Sequence, residues 1–186
     1  MRHNKVGHKE HNLKLIGQEQ SLDVCWPGEE IVRCLIQIAG GLFIWAATAC
    51  RFIREGKRFA ARRLDAILQG SGSSSAPIAP EKALDEIYTT VLKQSVAPEY
   101  TEEEKEEAYC TLRRTLGSII LLLSPLSTSS LSRLLGIPKE VIDQTLNDLH
   151  SVLDVPKEET QPLRLHHPSF RDYLLSNIRC KDQDLR

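Results

Sequence analysis

The 186 residues are 41% apolar and 26% charged, with aromatic residues at only 5%. That is enough apolar material for one domain or two small ones. The net charge of -1 supplies no global field to gather nucleic acid or an acidic bilayer. Five cysteines, Cys25, Cys34, Cys50, Cys110 and Cys180, form no CxxC pair. An odd count at such spacing argues against a disulfide framework and against a zinc site. Reduced, mostly buried thiols in a cytoplasmic protein are the expectation.

The opening stretch "MRHNKVGHKEHNLKLIG" is polar and does not have the pattern of a signal peptide. His3, His8 and His11 fall in a terminus expected to fray, so no metal ligands are assigned to them. "WPGEEIVRCLIQIAG" opens the first helix. Pro27 suits a position at or before the first turn, and Glu29 and Glu30 favour the positive end of the dipole. Ile31, Val32, Leu35, Ile36 and Ala39 recur at helical spacing. Gly40-Gly41 breaks the helix, and "LFIWAATACRFIRE" follows as a second one, expected to be buried all round. The stretch from Cys34 to Cys50 has no charge, but a spanning helix needs roughly 20 apolar residues. Gln37, Gly40, Gly41 and Thr48 dilute it, so a buried helix pair is expected and no membrane span. Association with a membrane through residues 34–53 is the alternative.

Gly56 interrupts before "KRFAARRLDAIL". Here Phe59, Ala60, Arg63, Leu64, Ile67 and Leu68 carry the helical pattern within a basic stretch (Arg51, Arg54, Lys57, Arg58, Arg62, Arg63). No aromatic stacking pattern or nucleic-acid motif accompanies these charges. They read as a solvated face or as a surface that docks on an acidic partner. "QGSGSSSAPIAP", residues 69–80, is a flexible linker. "EKALDEIYTTVLKQSV" is an amphipathic helix with Leu84, Ile87, Tyr88, Val91 and Leu92 on its apolar stripe.

The spacing of Thr101 and Glu104 predicts a capping box at the head of a long helix. The surrounding acid run suits its first turns, and Leu112, Leu116, Ile119, Ile120 and Leu123 bury its far end. Ser124-Pro125 ends it. "STSSLSRLLG" is a short helix stopped by Gly136. "IPKEVIDQTLNDLH" is another, with Val141, Ile142, Thr145, Leu146 and Leu149 on one face. "SVLDV" and "PLRLH" predict a hairpin across the polar turn "PKEETQ". "SFRDYLLSNI" closes as a helix, with Ser169 and Asp172 fitting a capping box. Strand alternation places Leu163, Leu165 and His167 inward and Arg164 and His166 toward water. Helix, helix, helix, hairpin, helix is winged-helix order. The fold expected is mainly α, with a helical subdomain and a winged-helix subdomain carrying one small β-hairpin.

At the end of that hairpin, His167 meets the free backbone N–H groups of a new helix. It can donate to a buried anion such as a phosphate, or serve structurally by bonding a backbone carbonyl. Both roles fit the residues.

The blocks "GGLFIWAATACRFI", "LDEIYTTVL", "LGSIILLLSPLS", "LLGIPKEVIDQTLNDLHSVLDVP" and "LRLHHPSFRDYLL" resemble those of fungal NACHT proteins. These are NOD-like, STAND-type signal-transducing NTPases of the vegetative (heterokaryon) incompatibility kind. The resemblance runs from about Trp26 to Cys180. It implies a remnant of the preceding core, disordered or truncated, at residues 1–21. The helical domain that follows the nucleotide-binding core would be 22–68 and the linker 69–80. A connecting helix would follow at 81–98, a winged-helix domain at 99–180 and a tail at 181–186. "GGLFIW" is similar to the GLPL motif of related switch ATPases, with Phe43 where a proline usually stands. That departure leaves only weak adenine-side contacts to expect from Gly41, Leu42 and Phe43. His167 falls on the winged-helix histidine that, in relatives, reaches the β-phosphate of ADP and holds the resting state.

Neither GxxxxGKS nor GxxxxGKT occurs in the sequence, and no apolar run ends in paired acids that would hold Mg²⁺. Without that cradle the chain is not expected to hydrolyse NTP or to carry a cofactor alone, although ADP and ATP serve the parent family. GxSxG and HExxH are also absent. The expectation is a non-catalytic regulatory and interaction fragment: a truncated product, an isoform or a degenerate paralogue. Its partner would be a NACHT nucleotide-binding core, in cis or in trans, with homo-oligomers in the parent family. A DNA-binding winged helix is the competing reading. Its recognition helix would be "PKEVIDQTLNDLH", where Lys139 stands against Glu140, Asp143 and Asp148, so no nucleic acid is expected.

Overall fold

The computed structural model describes residue 13 and residues 15–20, 26–70, 79–122 and 124–185. Among the described residues the chain is mainly helical, with one two-stranded antiparallel hairpin. It divides into two compact units, Met1–Thr90 and Val91–Arg186. The N-terminal histidines His3, His8 and His11, Cys25 and residues 71–78 of the linker lie outside the described residues.

In the first unit, α1 spans Glu29–Ala39 and α2 spans Phe43–Glu55. Val32, Leu35 and Ala39 of α1 are buried, on the stripe that the periodicity predicts. The helix stops because Gly40 is left-handed (φ 52°) and Gly41 follows at φ 84°, where a side chain would be strained. A Cβ on Gly40 would also stand 3.1 Å from the Pro80 ring.

Helix α2 is buried on one face, not all round as expected. Trp45, Ala49, Phe52 and Ile53 point inward, while Phe43 is 65% exposed and Arg54 faces water. Its neighbours cover only one side, so the apolar composition of its first turn is not matched by burial. A 3₁₀ turn, Lys57–Phe59, leads into α3, Ala60–Gly70. Ala60, Leu64 and Ile67 are buried, but Phe59 is 49% exposed. Lys57 adopts a left-handed φ of 47°, and the chain turns there before the apolar stripe of α3 begins. Arg63 belongs to this core. It donates to the Phe52 carbonyl at 3.0 Å and stacks over the Phe52 ring.

Helix α4, Pro80–Gln94, begins at the second linker proline, which suits a first-turn position because its missing N–H has no intrahelical partner there. Ala83, Leu84, Ile87 and Tyr88 are buried in the first unit. The Trp45 indole N–H donates to the Ala83 carbonyl at 3.1 Å.

In the second unit, α5 covers Glu102–Leu121. The capping box is formed as predicted. The Glu104 N–H donates to Thr101 Oγ1 at 3.3 Å, and the Thr101 N–H donates to Glu104 Oε2 at 2.7 Å. Leu112, Thr115, Leu116 and Ile120 are buried toward its far end. Helix α6, Thr128–Leu135, is capped by Ser127 and closed by left-handed Gly136. Helix α7, Lys139–Asn147, buries Ile142 and Leu146. Val141, expected on that face, is 37% exposed.

The strands are shorter than predicted: β1 is Leu153–Asp154 and β2 is Arg164–Leu165, with Leu153 opposite Leu165 and Asp154 opposite Arg164. Ser151, Val152 and Leu153 are buried in succession. The N–H groups of Val152 and Leu153 still bond the Leu149 carbonyl, so the chain leaves α7 in turns before it can alternate. Helix α8, Pro168–Leu175, completes winged-helix order. Residues 181–185 are not a loose tail. Leu185 is 7% exposed, Asp182 pairs with Lys93, and Arg113 donates to the Asp184 carbonyl at 2.6 Å.

The thiols are less buried than expected. Cys180 is buried and Cys50 half-buried, but Cys34 and Cys110 are exposed; among the described residues none of the four forms a disulfide. Among the described residues, no helix is long and apolar enough to cross a membrane.

Candidate functional site

The stretch that carries the site is the junction from β2 into α8. Two neighbouring histidines take different roles there. His166 is half-buried rather than facing water, and its Nε2 lies 2.9 Å from the His150 carbonyl. A carbonyl only accepts, so Nε2 bears the proton and donates. This is the structural histidine that the residues allowed, one position earlier than expected.

His167 is the N-cap of α8. The capping box read from Ser169 and Asp172 is therefore corrected. Pro168 occupies the first helical position, so the cap falls on the residue before it. The Ser169 backbone N–H donates to His167 Nδ1 at 3.2 Å, and Ser169 Oγ lies 2.7 Å from the same nitrogen. An N–H can only donate, which assigns Nδ1 as an acceptor and places the ring proton on Nε2. That Nε2–H has no hydrogen-bond partner among the described residues, and the ring is half-buried. One helix start thus fixes the tautomer and leaves a directed donor available. The His-Pro-Ser order carried this signal, because proline at the first helical position sets the frame. Ser169 shares the His167 nitrogen, whereas its spacing in the sequence points only to a cap.

The adenine-side candidates lie in the first unit. Gly41 is exposed and left-handed, Leu42 is the half-buried N-cap of α2, and Phe43 is exposed at its start. They form a bend with one aromatic side chain open to solvent. Among the described residues, no side-chain hydrogen bond or ion pair reaches them.

At the recognition-helix position, α7 offers little to a nucleic-acid phosphate. Lys139 bonds Asp143 at 2.6 Å and Glu159 at 3.0 Å. The hydrogen bonds to Asp143 and then Glu159 hold its ammonium above the usual lysine range. Among the described residues, no group of three or more His, Cys, Asp or Glu side chains could hold a metal ion.

No family model, curated protein or solved structure matches the chain.

Proposed function

We propose that this chain is a regulatory and interaction piece of a fungal NACHT-type signal-transducing NTPase, non-catalytic because it contains no phosphate-binding loop. It would work in the cytoplasm against a nucleotide-binding core supplied in cis or in trans. The reading rests on the sequence blocks quoted above. The observation that supports it best is the state of His167: its cap contact consumes Nδ1 and orients a free Nε2–H. A charge-assisted hydrogen bond from that N–H to a phosphate oxygen contributes roughly 1.5–3 kcal/mol. That is enough to bias a resting state and supplies no turnover.

The test is co-purification of the 186-residue chain with a separately expressed NACHT nucleotide-binding core, with ADP and without nucleotide. Association strengthened by ADP and weakened by His167→Ala is the expected result. No association in either condition overturns the reading in trans. Titration calorimetry of the isolated chain with ADP or ATP should give no binding isotherm.

A further inference from the structure

The near-zero net charge hides two opposed patches. Among the described residues, Lys57, Arg58 and Arg62 form no ion pair, whereas Arg54 pairs with Glu19 and Arg63 with Glu55. Lys57, Arg58 and Phe59 are all exposed on the 3₁₀ turn, and Arg58 stacks on the Phe59 ring at 4.7 Å. The left-handed Lys57 makes this turn a strained one, since a lysine at φ 47° gains nothing from the conformation. It is a basic knob with an aromatic centre.

The opposite chemistry lies in the second unit. A groove of about 280 Å³ runs between α5 and α7, lined also by the segment after α4. Val96 and Leu112 are buried beside it, Tyr100 and Val141 are exposed, and Glu107 and Gln144 add polar edges. Of the acids along α5, Glu102 pairs with Lys105, Glu104 is held by the capping box and Glu106 reaches Arg113. Glu99, Glu103 and Glu107 form no ion pair among the described residues. The groove lies at the lower edge of ordinary small-molecule pockets, a size that suits one or two protein side chains.

We propose that the Lys57–Phe59 turn of one copy seats in the α5–α7 groove of a second copy. Phe59 would meet Tyr100, Val141 and the apolar floor, and Arg58 would meet Glu107. Lys57, Arg58 and Arg62 then meet Glu107, which lines the groove and forms no ion pair among the described residues. The two patches differ, so the contact is heterologous and propagates head to tail. It needs no nucleotide and is independent of the reading of His167.

Sedimentation velocity of the full chain over a wide concentration range, at low and at high salt, tests this. Mass that grows with concentration and falls with salt is expected. Arg58→Glu and Glu107→Arg should each weaken association by about tenfold or more. Both positions are exposed, and far-UV circular dichroism checks that each variant folds. Mixing the two single variants makes both contacts charge-complementary, native Arg58 against native Glu107 and the glutamate of Arg58→Glu against the arginine of Glu107→Arg, and should restore the association that each variant alone has lost. A monomer at every concentration overturns the proposal. So does association that neither substitution changes, or a mixture that stays monomeric.

Discussion

Substituting His167 in two different ways separates its cap from its free donor. Ala removes both. Asn retains an acceptor at the N-cap, where it ranks among the best residues, and removes the imidazole Nε2–H. Loss of an N-cap costs about 1 kcal/mol, within a range of about 0.5–2. The bond at stake is that from the Ser169 N–H, at 3.2 Å. In a unit of roughly 100 residues, that energy lowers Tm by about 4–8 °C. His167→Ala should therefore melt several degrees below wild type, and His167→Asn should lie close to it. Far-UV circular dichroism against temperature, with urea titration for the slope, measures both. Equal loss in Ala and Asn would refute the cap argument, because a retained acceptor would then have no value. In a chain that also carries the nucleotide core, both variants should loosen ADP. Only there does the free donor register, so a stability match between Asn and wild type with unchanged ADP retention would return His167 to a purely structural role.

Trp45→Phe should destabilise the first unit by about 1–3 kcal/mol, since the buried Ala83 carbonyl loses its indole donor and a void opens beside it; a lower urea midpoint with unchanged slope is the expected readout, and an unchanged midpoint would show that the contact contributes nothing. Glu86 tests linkage. Burial is the main cause holding its carboxyl above the usual glutamate range, against the opposing pull of Lys82, and among the described residues its Oε2 has no hydrogen-bond partner. The unfolded chain sheds this proton first as pH rises, so the ionised group costs stability above that window and nothing below it. Glu86→Gln should raise Tm at neutral pH and leave it unchanged below about pH 4; a gain that persists in acid would refute the assignment.

Local signals carried into the structure where one turn of chain decides the outcome. Thr101 and Glu104 are three residues apart and complete their box without help from distant residues. Gly136 ends α6 for an equally local reason. At α8, two local signals competed: Ser169 with Asp172 had the right spacing, but Pro168 fixed the first helical position and moved the cap to His167. Phase was harder to read. Val141 fits the apolar face of α7 by spacing, yet among the described residues of the second unit it lines an open groove and stays exposed. The hairpin shrank because the turns after α7 bury three residues in succession, which an alternating pattern does not anticipate. Arg113 and Asp184 are 71 positions apart, and nothing in a linear reading joins them. The free Nε2–H of His167 was legible only as an option, since its tautomer depends on which nitrogen the helix start takes.

The unequal shielding of the cysteines gives the second unit a built-in clock. Cys110 sits on the outside of α5, whereas Cys180 is fully enclosed beside the segment that carries Asp182. A thiol reagent should label the first at once and reach the second only when that segment opens. The lag between the two reports local opening through cysteines the chain already carries.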